Sequence, residues 1–327
     1  MKPVEIGVGI IGLGVVAGEV ARQLTAQAET LSRAVGCSLV LRKIKVIGAD
    51  LKRPLVKELG ESIFTTDDDE FFNTPGIDIV VEAIGGEHPA FDYQRRALSG
   101  GKYVVTSNKE VIAKRGGTLR QMAAEHRVGL YYEASVGGGI PLISRFKYDL
   151  VANHISGIYA IINGTTNYIL TRMARDGGDF ATALRSAQEL GYAEANPEND
   201  IEGYDAVYKL AILGTLAYGT EIKPEDIYRE GISRLSAQDF QYAGEFGFTI
   251  KLLAISKDCG SHIEARVHPV LIPSDSLLAK IDGVYNGILV EGDMVGKVLF
   301  YGEGAGARPT ASAVVADVTA AAREIAS

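Results

Sequence analysis

Six residues near the N-terminus restrict the fold more than any others: Gly12-Leu13-Gly14-Val15-Val16-Ala17. They follow the apolar run Val4–Gly12 and open the segment Val15–Ala26, where Val16, Val20 and Leu24 fall on one helical face. A G-x-G-x-x-A turn between a strand and a helix suits a dinucleotide. Gly12 permits the tight turn, Gly14 lets the backbone approach a pyrophosphate, and Ala17 is small enough for helix to pack closely on strand. The N–H groups of the first helical turn, from Val15 and Val16 onward, then face the phosphates. A glycine-rich turn without a ligand is the alternative, and the strand–turn–helix setting weighs against it.

The rest of the first 135 residues keeps the same rhythm. Strands are expected at Lys45–Asp50, Ile77–Ile84, Lys102–Thr106 and Gly129–Glu133, with helices at Pro89–Leu98 and Glu110–Glu125. Ile77–Ile84 is nearly all apolar, as a strand covered on both faces must be. Alternation of this kind predicts an α/β fold with a doubly wound, mostly parallel, Rossmann-type sheet. The rhythm breaks at Gly137–Gly139 and Pro141, which marks a boundary. A second, α+β domain follows, with a β-like Gly157–Asn163, helical Ile169–Asp176, Phe180–Leu190 and Tyr204–Tyr218, and a β-rich Phe248–Phe300. The expected division is 1–136 for the nucleotide, 137–302 for the second domain, and 303–327 for an Ala/Val-rich helix packing back on the first.

Composition excludes several other classes. A formal net charge of −8 over 327 residues repels a nucleic-acid backbone, so only a local basic pocket for a small phosphate is expected. Cys37 and Cys259 form no disulfide framework or metal knuckle, which points to a reduced, cytoplasmic protein. No secretory pattern opens the chain, and no apolar run is long enough to span a membrane.

The nucleotide type stays open. Asp50 is placed to bind the adenosine ribose hydroxyls, although its interval from the glycines exceeds the usual one because Gln27–Val40 reads as an insertion. Lys52 and Arg53 follow at once and suit a 2′-phosphate, or belong to a solvated loop. NAD and NADP are both compatible.

An ordered series of segments then becomes specific: Thr106–Glu110 (TSNKE), Tyr132–Pro141 (YEASVGGGIP), Asn163–Leu170 (NGTTNYIL), Gly191–Glu194 (GYAE), Gly203–Leu210 (GYDAVYKL) and Gly302–Gly306 (GEGAG). The series resembles homoserine dehydrogenases from the first strand to the final helix. The resemblance implies a nucleotide-binding domain, a catalytic domain that also makes a homodimer, and a returning C-terminal helix. Some members add a C-terminal amino-acid-sensing domain or an N-terminal aspartate kinase. This chain of 327 residues has room for neither, so regulation through them is not expected.

Reduction of an aldehyde needs a hydride from the cofactor, a proton donor, and a positive group facing the developing alkoxide. Lys209 lies four residues after Asp205 on one helix face, which by itself describes an ordinary surface ion pair. Its Leu and Ile neighbours favour partial burial, and the resemblance makes Lys209 the main proton-transfer candidate with Asp205 orienting it or binding substrate. Lys109, just past the fourth strand, joins it by the same resemblance; the sequence does not apportion the two roles. Ser107, Lys109 and Gly304 are carried to the cofactor. Thr166, Tyr192, Glu194, Asp200, Asp205 and Lys209 are carried to the substrate, with Glu194 the best acceptor for its ammonium group. Thr165 offers a further hydroxyl. The segment after Glu194 reads Ala-Asn-Pro where the family usually has Asp-Pro. A structural sodium ion is implied at Glu133 and the carbonyls of Val136, Gly138 and Ile140; oxygen-only ligation suits a hard cation. Five scattered histidines give no expectation of a transition metal.

Three other readings fit less well. A sugar or polyol dehydrogenase would place a histidine near Lys109 or Lys209, and none is close in sequence. Aspartate-semialdehyde dehydrogenase requires a thiol nucleophile, and neither cysteine lies in a candidate segment. A cofactor-binding redox sensor would not need Glu194, Asp205 or Lys209.

Overall fold

A computed structural model describes residues 5–327. The chain divides into two compact units: one runs up to Gly139 and takes in Gly306–Ser327, the other is Ile140–Ala305.

The first unit contains strands β1 (Glu5–Ile11), β2 (Ser38–Lys45), β3 (Phe64–Thr65), β4 (Ile79–Glu82), β5 (Tyr103–Thr106) and β6 (Leu130–Tyr131). Val4, the expected start of the first strand, lies outside the described residues. All five pairings are parallel, in the order β3-β2-β1-β4-β5-β6. That is the doubly wound order of dinucleotide-binding sheets, whose ligand sits beyond the carboxyl ends where the order reverses, here between β1 and β4. The helices are α1 (Val15–Ala26), α2 (Ala28–Val35), α3 (Pro54–Leu59), α4 (Asp68–Asn73), α5 (Ala90–Ser99) and α6 (Lys109–His126), with Ala307–Ala326 added from the chain's end. That last helix contributes Ala311, Val314, Val318, Ala321 and Ala322 to the same core as Val20, Leu24 and Ile44.

One expectation for this unit needs correction: the second strand is Ser38–Lys45, not Lys45–Asp50. The segment read as an insertion, Gln27–Val40, holds α2, closed by Gly36 in the left-handed conformation, and the start of β2. Asp50 therefore sits in a 3₁₀ turn beyond the strand end.

The second unit holds β7 (Ile155–Ile161), β8 (Tyr228–Arg229), β9 (Phe248–Asp258), β10 (Ile263–Pro273), β11 (Tyr285–Gly292) and β12 (Gly296–Glu303). Their order is β12-β11-β7-β9-β10-β8, antiparallel except for the β8–β10 edge. Five helices accompany them: α7 (Gly164–Asp176), α8 (Phe180–Glu189), α9 (Glu198–Ile201), α10 (Tyr204–Tyr218) and α11 (Ala237–Glu245). With these in place the helix Ala307–Ala326 is α12. α7 starts at Gly164, five residues earlier than expected, because Asn163 caps it by accepting a hydrogen bond from the Thr166 N–H. Thr165 and Thr166 thus belong to a first helical turn.

Candidate active site

In the first unit the fingerprint turn has the geometry its residues require. Gly12 has φ +105°, and an added Cβ would fall 2.8 Å from Ile84 Cγ2 and 3.0 Å from the Ala83 carbonyl oxygen. Gly14 meets no neighbour within 4 Å, leaving its outer side open to a ligand, while Ala17 is fully buried. No side chain caps α1, so its first N–H groups are left for an anion. Val15 is 72% exposed and Val16 is half-buried against the core. Arg53 donates to the Leu13 carbonyl at 2.8 Å and pairs with Asp50 at 2.7 Å. The structure thus brings both 2′-selecting candidates to the fingerprint turn.

A second network lies at the ends of β4 and β5. Glu82 is fully buried, and its carboxylate accepts from the Ile84 N–H at 2.7 Å, Gln94 Nε2 at 2.6 Å and the Thr106 hydroxyl at 2.7 Å. Burial pushes the Glu82 carboxyl up, and these three donors only partly offset that effect. Thr106 in turn accepts from the Asn108 N–H at 3.0 Å. Asn108 grips the carbonyls of Ile84 and Gly86 and accepts from the Val111 N–H, capping the helix whose first residue is Lys109. Ser107 is held by its N–H on the Glu82 carbonyl at 3.3 Å. The position of Lys109 therefore descends from a buried glutamate assigned no role from the sequence. The signal for it was present: a second charge, after Asp78, in the otherwise apolar Ile77–Ile84.

The second unit assembles the other candidates. α10 is apolar nearly all round, with nine buried residues, so Asp205 and Lys209 enter the interior together. The Lys209 ammonium pairs with Asp205 at 2.7 Å and donates to the Ile162 carbonyl at 3.0 Å; only 8% of the lysine is exposed. The bland surface pair is thereby excluded. Asn163 joins the cluster, donating to Asp200 at 2.7 Å and Asp205 at 2.9 Å, while its carbonyl oxygen accepts from the Thr166 N–H and hydroxyl. No local pattern identifies Asn163 as this hub, because both acids arrive from about forty residues on. Glu194 is exposed, in a loop tied down by Gln188 donating to its carbonyl at 3.1 Å and by Thr165 donating to the Tyr192 carbonyl at 2.6 Å. Tyr192 also packs on Tyr168, ring centroids 5.1 Å apart. Gly304 follows β12, where a Cβ would land 1.8 Å from the fully buried Asn286 amide nitrogen, so glycine is obligatory there.

Glu133 lies in a 3₁₀ turn, not a strand, and its N–H donates to the buried Asp317 at 2.7 Å. Gly137 and Gly138 turn the chain with φ of +76° and +57°, and Val136 and Ile140 are buried. Glu133, Val136 and Gly138 belong to the first unit, and Ile140 opens the second. Among the described residues, Cys259, His262 and Glu264 hold ligand atoms within 4.8 Å of one another.

A pyrophosphate-binding turn on a doubly wound sheet, with a buried Lys–Asp pair on a separate α+β unit, defines a nicotinamide-dependent dehydrogenase. The family model for homoserine dehydrogenase matches residues 141–319, and that for its NAD-binding domain matches 12–133. The homoserine dehydrogenase of Neisseria gonorrhoeae is 45% identical over 325 residues, covering 99% of this chain and 73% of that protein. That of Synechocystis is 46% identical, covering 96% and 72%. Among solved structures, a homoserine dehydrogenase from Thiobacillus denitrificans superposes with a TM-score of 0.94 at 43% identity, over 100% of this chain and 75% of that one. A hyperthermophilic archaeal homoserine dehydrogenase mutant in complex with NADPH gives 0.81 at 28% identity, over 97% and 98%. The chain belongs to the homoserine dehydrogenase family, oxidoreductases that interconvert L-homoserine and L-aspartate 4-semialdehyde with NAD or NADP.

Proposed function

We propose that Lys209 is the proton-transferring group of this reaction. The observation that carries it is the setting of the ammonium: two of its N–H bonds are committed to Asp205 and Ile162, and the third has no acceptor among the described residues. Such a group meets a carbonyl oxygen already oriented and largely dehydrated, so it stabilises the incipient alkoxide strongly. The bound nicotinamide supplies or accepts the hydride at C4. Lys209 gives its proton to the oxygen during reduction and accepts it during oxidation. Asp205 keeps the amine aimed, and Asn163 holds Asp205 and Asp200 in place. Glu194 takes the substrate ammonium, with Thr166, Tyr192 and Asp200 lining the amino-acid subsite. Lys109 contacts the cofactor and shares the polarising role. The primary test is homoserine-dependent reduction of NAD and NADP, assayed separately. Folded protein inert with both would sink the reading.

Gly12, Gly14, Val15, Val16, Ala17, Ser107 and Gly304 would hold the cofactor. Arg53, beside the fingerprint turn, favours a 2′-phosphate, whereas Asp50 favours a free ribose. Their mutual pair makes the choice a competition. Arg53→Ala frees Asp50 and is expected to lower kcat/KM for NADP about tenfold while leaving NAD within about twofold, in keeping with one lost charged contact. Equal losses with both cofactors would rule out phosphate recognition.

Glu133 with the carbonyls of Val136, Gly138 and Ile140 supplies the oxygen donors a sodium ion requires. Glu133→Gln is expected to abolish any rise in thermal midpoint on replacing choline chloride by sodium chloride; an unchanged rise would remove Glu133 from the site. A homodimer is supported by exposed apolar side chains on the second unit, among them Leu271, Tyr285 and Tyr301, the last two stacked at 5.3 Å. A monomer in sedimentation at micromolar concentration would refute it. Two free cysteines support a reducing, cytoplasmic setting, and no helix of the described residues is long and apolar enough to cross a membrane. Two thiols per chain counted in unreduced, denatured protein would agree; a disulfide would not.

A further inference from the structure

The turn between β9 and β10 carries three side chains of a kind that the proposed reaction does not use. Cys259, His262 and Glu264 present a thiol, an imidazole and a carboxylate, with one ligand atom from each inside a 4.8 Å spread. We propose that this cluster is a binding site for a borderline divalent cation, zinc above all.

The donor set selects the metal. A thiolate discriminates against calcium and magnesium, and its mixture with imidazole and carboxylate is the set that tetrahedral zinc accepts. Bonds of about 2.3 Å to sulfur and about 2.0 Å to nitrogen put tetrahedral donors roughly 3.5 Å apart. The observed spread is within about 1.3 Å of that separation.

The backbone beneath is rigid. β9 and β10 pair without a bulge over eleven residues each, ending at Asp258 opposite Ile263. The turn is shut by the Cys259 N–H on the His262 carbonyl at 2.9 Å and the Gly260 N–H on Asp258 at 2.7 Å, with Gly260 at φ +78°. The Ser261 hydroxyl contacts His262 Nδ1 at 3.1 Å, an outer contact that fixes the ring. Arg266 holds one Glu264 oxygen at 2.7 Å, leaving the other for single-point ligation. Glu221, Asp226 and Asp258 line, with His262, an adjoining cleft of about 460 Å³, while Lys257 stands opposite Glu264 on the neighbouring strand.

Three protein ligands leave a fourth position for water or a small anion. Tyr218, also in that cleft, ends α10 nine residues after Lys209, about 13 Å along the helix axis. The cation therefore ties the two strands of the hairpin together and takes no part in proton transfer.

The test titrates chelator-treated protein with Co²⁺ under argon. One equivalent is expected to produce a thiolate-to-cobalt charge-transfer band that one equivalent of Zn²⁺ abolishes. C259S should lose the band while keeping homoserine-dependent turnover, which also shows that it is folded. H262A and E264Q should each weaken binding at least about tenfold. The site is overturned if folded wild-type protein shows no band, or if C259S retains it. A band that survives H262A and E264Q together, marking adventitious capture by a single thiol, also overturns it.

Discussion

Lys209→Met is expected to lower kcat for homoserine oxidation by roughly 10²- to 10⁴-fold, the range for loss of a positioned acid or base. At about 1.4 kcal/mol per decade this is ~3–5 kcal/mol of transition-state stabilisation. Methionine matches the lysine stem in length and removes only the ammonium, so a packing effect contributes little. The substitution leaves Asp205 buried and short of a partner, which costs stability as well; Asn163 still donates to it at 2.9 Å and limits that cost. Chemistry and folding separate through the cofactor. The fingerprint turn belongs to the other unit, so NADP affinity measured by fluorescence should change less than twofold. Turnover within a few-fold of wild type would remove Lys209 from proton transfer and leave Lys109 as the remaining lysine.

Glu82→Ala is expected to be the most damaging single change outside that cluster, at about 3–5 kcal/mol of folding stability. Three donors lose their acceptor at once in a fully buried place: the Ile84 N–H, the Gln94 amide and the Thr106 hydroxyl. Glu82→Gln should cost far less, about 1 kcal/mol, because Gln94 can turn its carboxamide and present Oε1, a buried atom with no partner, to the new amide. Denaturant melts of both variants test the contrast; equal losses would show that the carboxylate does not organise the network. The pH response has a defined sign. Burial holds the Glu82 carboxyl above its unfolded value, so the folded state binds the proton more tightly. Its contribution to stability is full below the unfolded pKa and declines as pH rises through the folded one. Glu82→Gln should flatten that decline in stability measured against pH.

How much was legible follows from what each feature depends on. The fingerprint, the parallel rhythm and the Asp205–Lys209 pair are local patterns, and the structure places them where the sequence puts them. β2 was displaced because two helices run almost back to back, Ala26 ending one and Ala28 beginning the next. α2 fully buries none of its residues; Leu31 and Val35 pack only partly on the core, so the segment read as an addition to the domain and not as one of its elements. The apolar Val46–Ile47 drew the strand too far downstream. Asn163 and Glu82 escaped for a different reason: their importance lies in partners brought from distant segments. Cys259, His262 and Glu264 are close in sequence, yet only the hairpin turns their side chains to one side.

The path of the chain between the two units has a consequence for biosynthesis. The nucleotide-binding unit is interrupted after Gly139 and resumes at Gly306, and α12 supplies both core side chains and Asp317, the acceptor for the Glu133 N–H. Of these two units, the one whose synthesis starts earlier is therefore completed later, waiting for more than 160 intervening residues to emerge. A nascent chain stalled before Gly306 would carry a finished Lys209 cluster beside an open nucleotide core. A stop codon placed between Gly306 and Ser327 should accordingly expose the first unit to proteolysis while sparing the second.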